Sequence, residues 1–228
     1  MKGTYFNITD NIIGELITLF IEKLDYNKPI MEVLSTIENM FWYYLDKYCQ
    51  DNRPSKDKFL NFLSEICNKV PFLIHPKVNI MNEFHKWQKT RNSMKRCLSI
   101  LIDNDRENIL VIRGRFSKLW NFPGGKMDIK DTNSQECAMR EAYEEVGYNT
   151  SGKIDETLTF EINYGFMIAE YFVVPDVSIN TYFVPLEMNE IGEIQWISLD
   201  ENKWTGDEEH YKLIREAVSK LKCVINEQ

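Results

Sequence analysis

A change of hydrophobic period near Lys95 limits this chain more than any other feature. Before it, "DNIIGELITLFIEKL", "MEVLSTIENMFWYYLDKY" and "KFLNFLSEICNKV" repeat apolar residues at helical spacing, and "DYNKP" and "QDNRPS" read as the turns between them. "VPFLIHPKV" carries two prolines and is predicted as an extended connector, followed by a further helix over "NIMNEFHKW". After it, "CLSILI" and "NILVIRG" form a strand pair around "DNDRE", while "TLTFEINYGFMIAEYFVV" and "EIQWIS" supply later strands and "EEHYKLIREAVSKLK" a closing amphipathic helix. One face of a helix and one face of a strand need different spacings, so a single layer type cannot serve both halves. The expectation is an all-helical domain over 1–92 and an α+β domain over 93–228, divided in the polar segment "KTRNSMKR".

At 228 residues either half is long enough to bury a core. Five cysteines without CxxC spacing (Cys49, Cys67, Cys97, Cys137, Cys223) argue against a disulfide framework and for a reducing compartment. The N-terminus lacks the order of a signal peptide, and the most apolar early stretch is interrupted by charges, which predicts a soluble intracellular protein with no membrane association. His75, His85 and His210 never fall at zinc-ligand spacing. The net charge of −8 is uneven: residues 1–92 hold 12 Lys/Arg and 11 Asp/Glu, whereas 93–228 hold 15 and 24. A nucleic-acid partner would therefore need local basic patches rather than the global field.

Much of that acid sits on one helix. In "NSQECAMREAYEEVGY", Asn133 is a candidate N-cap with Glu136 completing a capping box, and Gly147 a C-terminal stop. Glu141, Glu144 and Glu145 then crowd adjacent positions of one side. Upstream, "WNFPGGK" predicts a tight Pro-Gly-Gly loop able to approach a backbone or a phosphate closely. Two readings stand on these residues alone. One is a carboxylate site for a hard divalent cation such as Mg²⁺; the other is a solvated acidic face with Arg140 paired to Glu144 or Glu136.

Gly125 followed by "REAYEEVGY" resembles the Nudix signature: G, five residues, E, seven residues, R-E-U-x-E-E-x-G-U, where U is apolar. Two departures stand out. Asp131 occupies the position of the first Glu, and one extra residue separates it from Arg140, so either Asp131 or Thr132 stands in that place. The resemblance implies an α/β/α sandwich for the second domain and hydrolysis of a nucleoside diphosphate linked to another group. Mg²⁺ or Mn²⁺ would be held by Glu141, Glu144 and Glu145, with Gly125 in the metal-site loop, and would activate a water for attack on phosphorus.

Over nearly its whole length the chain also resembles the catalytic subunits of eukaryotic mRNA-decapping enzymes, through "TIENMFWYYLDKY", "VPFLIHP", "HKWQKTR", "WNFPGGK" and "NEIGEIQW". That resemblance implies a regulatory helical domain and cleavage of capped RNA to 7-methyl-GDP and a 5′-monophosphate RNA, as part of mRNA decay in the cytoplasm and its P-bodies. It implies that Trp42 and Asp46 recognise the cap guanine, with Tyr211 as a second stacking partner; spacing alone reads "FWYYLDKY" as a core stripe with a solvated Asp. It places Glu190, rather than nearby Glu193, as the last metal-site residue and general base, and Lys118 on substrate phosphate. Lys126 follows the loop glycines, whereas Gly124 removes a cation common at that position. RNA-body contacts are assigned to the acid-free run Lys86, Lys89, Arg91, Lys95 and Arg96, and to Lys212, Arg215 and Lys222 on the last helix. Domain closure about "KTRNSMKR", favoured by an activator subunit on the helical domain, completes the expected mechanism. The rivals are a Nudix hydrolase of free nucleotides or dinucleoside polyphosphates, and a cap-binding scaffold without turnover.

Overall fold

The computed structural model describes residues 8–21, 28–49, 53–73, 78–128, 131–165, 167–186 and 190–226. The chain divides into two compact units, Met1–Thr90 and Arg91–Gln228.

The first unit is helical. Helices α1 (Asp10–Leu16), α2 (Ile30–Tyr48), α3 (Lys56–Lys69) and α4 (Ile80–Ser93) follow the apolar periodicity, and a short π-helical stretch, Ile17–Ile21, continues α1. Ser55 caps α3 by accepting the Lys58 N–H. Val33, Leu34, Ile37, Met40, Phe41, Tyr44 and Leu45 lie on one stripe of α2 and meet Phe59, Phe62, Leu63 and Ile66 of α3 in a single core. Aromatic rings knit it together: Phe41 meets Phe59 edge-on at 5.3 Å, and Phe59 stacks on Trp87 of α4 at 5.9 Å. Two expectations change. Pro71–Leu73 forms a 3-10 turn rather than extended chain, and residues 74–77, with His75, lie outside the described residues. The helix predicted over "NIMNEFHKW" runs on to Ser93, because "KTRNS" lacks any residue that stops it.

The second unit is α+β. Strands β1 (Arg96–Asp103), β2 (Asn108–Gly114), β3 (Trp120–Asn121), β4 (Gly124–Lys126), β5 (Asp155–Asn163), β6 (Ile168–Val177) and β7 (Ile191–Ser198) form a mixed sheet in the order β3-β2-β1-β6-β5, with β4 on β1 and β7 on β2. Among the described residues, β1 and β6 pair in parallel and the other strand pairs are antiparallel. Asp103 shapes the β1–β2 turn by accepting the N–H groups of Glu107 and Asn108, both at 2.8 Å.

Strand alternation sorts the core into two faces. Leu98, Ile100 and Ile102 of β1, Ile109 and Val111 of β2, and Ala169, Tyr171 and Val173 of β6 pack with Ile214, Ala217, Val218 and Leu221 of the last helix, α6 (Lys212–Asn226). The intervening residues face the other way. Leu101, Leu110, Ile112 and Val174 join Val146 of α5 (Ser134–Val146), and Cys97 and Phe172 join its Cys137 and Ala138. Strands buried on both faces between two helices make the α/β/α sandwich.

Candidate catalytic site on the acidic helix

Helix α5 is specified locally at both ends. Asn133 accepts the Glu136 N–H at 2.9 Å, and Gly147 closes the helix at φ 69°, its N–H bonding to the Tyr143 carbonyl. The capping box differs from expectation: the Glu136 carboxylate reaches one residue further back, to the N–H (3.0 Å) and hydroxyl (2.6 Å) of Thr132. Thr132 is thereby used in the cap.

Asp131 therefore takes the other role. Its carboxylate, 4% exposed, receives Arg140 Nε and Nη2, both at 2.9 Å, and the Asp128 N–H at 2.7 Å. Burial pushes its pKa upward, but the hydrogen bonds from Arg140 and Asp128 outweigh that and hold the pKa below the usual aspartate value. The Asp131 N–H in turn donates to the Asp128 carbonyl at 3.0 Å. Arg140 also pairs with Glu141 at 3.0 Å and Glu144 at 2.7 Å. The Asp131 hydrogen bond, ahead of the neighbouring glutamates, raises its pKa further.

The Pro-Gly-Gly segment is a strand rather than a free loop, because two glycines let it lie directly against β1. A Cβ on Gly124 would stand 2.3 Å from the Cys97 carbonyl oxygen and 2.6 Å from the Leu98 Cα. The Gly124 N–H donates to Glu145 Oε2 at 2.6 Å, and the Gly125 Cα faces the Glu141 carboxylate so closely that a Cβ would come within 2.4 Å of it. Sequence reasoning treated Gly124 as a lost cation and missed this donor; the tandem glycines were its signal. Glu141, Glu144 and Glu145 are all half-buried around this strand.

This all-oxygen set suits a hard divalent cation. It is not a finished cage: among the described residues, no group of three or more candidate ligands is arranged to hold a metal ion. Arg140 engages Glu141 and Glu144 instead.

The remaining assignments divide. Glu190 lies in the turn before β7, its carbonyl accepting the Arg115 N–H at 2.8 Å, whereas Glu193 on β7 is bound by Arg113. Lys118 is exposed on the loop before β3, and Lys126 ends β4 with its carbonyl 3.5 Å from Arg140. In the helical unit, Trp42 is half-buried on α2 and Asp46 exposed one turn later.

Several of the assigned side chains already have partners within the chain. Tyr211 does not offer a free ring: it is 6% exposed, lies against Trp120 and Trp204, and donates its hydroxyl to the Thr205 carbonyl at 3.2 Å. Lys95 is not an open cation, since Glu161 (2.6 Å) and Glu170 (3.2 Å) hold it from β5 and β6. On α6, Arg215 and Lys222 both reach Glu201 across the chain, at 3.4 and 3.5 Å, and Lys86 pairs with Glu83 at 2.7 Å. The basic tracks are thus interrupted by acids that the linear runs do not contain. Lys89 and Lys212 are exposed, and Arg91 and Arg96 half-buried.

Two domain families match. Residues 94–217 match the NUDIX domain, and residues 11–89 match "Dcp2, box A domain". Among curated proteins, the chain is 28% identical over 173 residues to an Arabidopsis thaliana protein named mRNA-decapping enzyme subunit 2, covering 74% of this chain and 45% of that one. It is 28% identical over 197 residues to a Saccharomyces cerevisiae protein named m7GpppN-mRNA hydrolase (83% and 20%). It is 26% identical over 198 residues to a Schizosaccharomyces pombe protein named mRNA decapping complex subunit 2 (82% and 26%). The chain therefore spans less than half the length of each of these relatives.

Proposed function

The chain belongs to the NUDIX family, and from that premise we propose that it hydrolyses the pyrophosphate bridge of a 5′-capped RNA, releasing 7-methyl-GDP and a 5′-monophosphate RNA. The observation that carries this reading is the presence in one chain of a box A match over 11–89 and a NUDIX match over 94–217. The named activities of the curated relatives support the same reaction.

NUDIX hydrolases generally use divalent metal ions, and here Glu141, Glu144 and Glu145 are the residues to hold Mg²⁺ or Mn²⁺. When bound, such an ion neutralises phosphate charge and makes water a better nucleophile. The protein's own part is positioning. Gly124 orients Glu145 through its N–H, Gly125 leaves room for the Glu141 carboxylate, and Asp131 anchors Arg140 beside the glutamates. Glu190 serves as general base, while Lys118 and Lys126 receive the phosphates whose charge grows in the transition state.

Trp42 and Asp46 bind the 7-methylguanine: a cationic purine stacks on indole, and a carboxylate accepts from its Watson–Crick edge. Tyr211 takes no part in this reading. Lys89, Arg91, Arg96 and Lys212 contact the RNA backbone without reading its sequence. Lys95 and Arg215 could join them only by exchanging carboxylates for phosphates, an exchange made easier because exposed ion pairs are weak. An activator subunit docked on the helical unit is expected to raise turnover. The reaction belongs to the cytoplasm, and no helix among the described residues is long and apolar enough to cross a membrane.

Incubation with cap-labelled RNA and Mg²⁺ tests the reading. Labelled 7-methyl-GDP is expected, with a side-by-side panel of free nucleotides and dinucleoside polyphosphates cleaved far more slowly. An intact cap, or preferential turnover of the small nucleotides, would overturn it.

A further inference from the structure

We infer that the loop between β2 and β3, residues 115–119, is a binding platform for the first base of the RNA body, with Phe116 and Leu119 as its contact surface and Arg115 on the adjoining phosphate. This rests on the decapping reading, because assigning the cap to Trp42 and Asp46 leaves the nucleotide on the other side of the scissile bridge without a seat.

The loop unites features that seldom coincide on an exposed turn. Phe116 is 44% and Leu119 47% exposed, and the Arg115 guanidinium lies 5.8 Å from the Phe116 ring centroid. Single exposed apolar residues need no explanation, but two on one five-residue loop, flanked by Arg115 and exposed Lys118, form an apolar surface with cations beside it. The charge setting is equally uneven. From Arg113 to Met127 the chain holds Arg113, Arg115, Lys118 and Lys126 and no carboxylate, inside a half of the protein with 15 basic and 24 acidic residues. An apolar ring bordered by cations is the chemistry that takes a nucleobase and its phosphate.

The loop is also held in shape and tied to the site. Ser117 donates its N–H to the Gly114 carbonyl, and its hydroxyl accepts the Leu119 N–H at 2.9 Å. Arg115 donates its N–H to the Glu190 carbonyl, and the loop backbone packs so tightly on β7 that a Cβ on Gly192 would stand 2.8 Å from the Arg115 Cα. At its other end the loop runs through β3 into Gly124 and Gly125, against which Glu145 and Glu141 rest. A rigid platform joined to both parts of the catalytic site loses little entropy on receiving a base.

A double cycle on the full chain tests this. Phe116→Ala should lower kcat/KM on capped single-stranded RNA by about tenfold, the lower part of the range for losing one base–aromatic stack. The wild type should lose a similar factor on capped RNA with an abasic first nucleotide. The two losses should not multiply, because each removes the same contact. Phe116→Trp should retain stacking and near-wild-type rates, which separates lost contact from lost folding. Multiplying losses, or undiminished activity in Phe116→Ala, would overturn the platform while leaving decapping intact. A wild type that cleaves no capped RNA would instead remove the decapping reading, and the platform with it.

Discussion

In the helical unit one carboxylate is met by three donors, whereas in the NUDIX unit one cation is met by three carboxylates. Glu15 of α1 accepts from the Tyr43 hydroxyl, the Lys47 ammonium and the Tyr48 hydroxyl of α2, each at 2.5 Å. Arg140 is shared by Asp131, Glu141 and Glu144. Lys47 first, then the two tyrosines, draws the Glu15 pKa down to about 2, and Lys47 is raised in turn. The first cluster matches its charge with one ammonium and uses neutral hydroxyls for the rest. The second carries a net −2 over those four groups. Donor-saturated carboxylates fasten helices together, whereas carboxylates in excess over their cation leave negative charge unmatched within the cluster.

The largest expected effect comes from breaking the second cluster at Glu145. Glu145→Gln should cost about 10²–10³-fold in kcat, the scale for losing one electrostatic stabiliser, with an unchanged circular dichroism spectrum; chelation of divalent ions should abolish turnover in the wild type. Retained activity under both conditions would make the acidic helix a structural feature like the Glu15 cluster.

Asp131→Ala should destabilise the NUDIX unit by roughly 1.5–3 kcal/mol, the scale of hydrogen bonds to charged groups, and lower activity as Arg140 swings toward the glutamates. Urea melts together with rates would read both. A stable, fully active Asp131→Ala protein would show that the irregular loop does not support the site.

The two loop glycines should separate fold from chemistry. Gly124→Ala pushes a methyl group into the β1 backbone and should cost about 1–3 kcal/mol. Gly125→Ala meets only the flexible end of Glu141, so its melting temperature should move by no more than ~2–4 °C while turnover falls. Equal stability losses at both positions would contradict this division.

The smallest effect is expected at Glu15. Its pKa in the folded protein is about 2 against an ordinary 4.5, so the stability it contributes is present above pH 4.5 and lost as the pH falls toward 2. Glu15→Gln should flatten the acid limb of the unfolding curve across that window, followed by circular dichroism, and leave turnover near neutral pH unchanged.

Much of the fold was legible along the chain. The helices of the first unit, the β1–β2 pair, the Asn133 cap and the Gly147 stop all follow from contacts within a few residues. Asp131 was legible only as a departure from a signature. Whether it or Thr132 served Arg140 was settled by the other pairings: Glu136 takes the Thr132 N–H and hydroxyl, and the Asp131 carboxylate receives Arg140. The Pro-Gly-Gly strand had a signal but no visible partner, since the β1 backbone it meets lies more than twenty residues upstream.

The misread residues share a cause. Lys95 looked free because nothing acidic is near it in sequence; Glu170, 75 positions away, reaches it only because β6 pairs in parallel beside β1. Tyr211 looked available because the amphipathic pattern of α6 says nothing about Trp120 and Trp204, which enclose its ring.

By itself the sequence determined most element types, the two ends of α5 and the crowding of glutamates on that helix, because periodicity, capping and one-turn spacing act over short distances along the backbone. Only the tertiary structure decided which charges are already answered and which backbone amide orients Glu145. Those depend on strand pairing between distant segments, which local spacing does not encode.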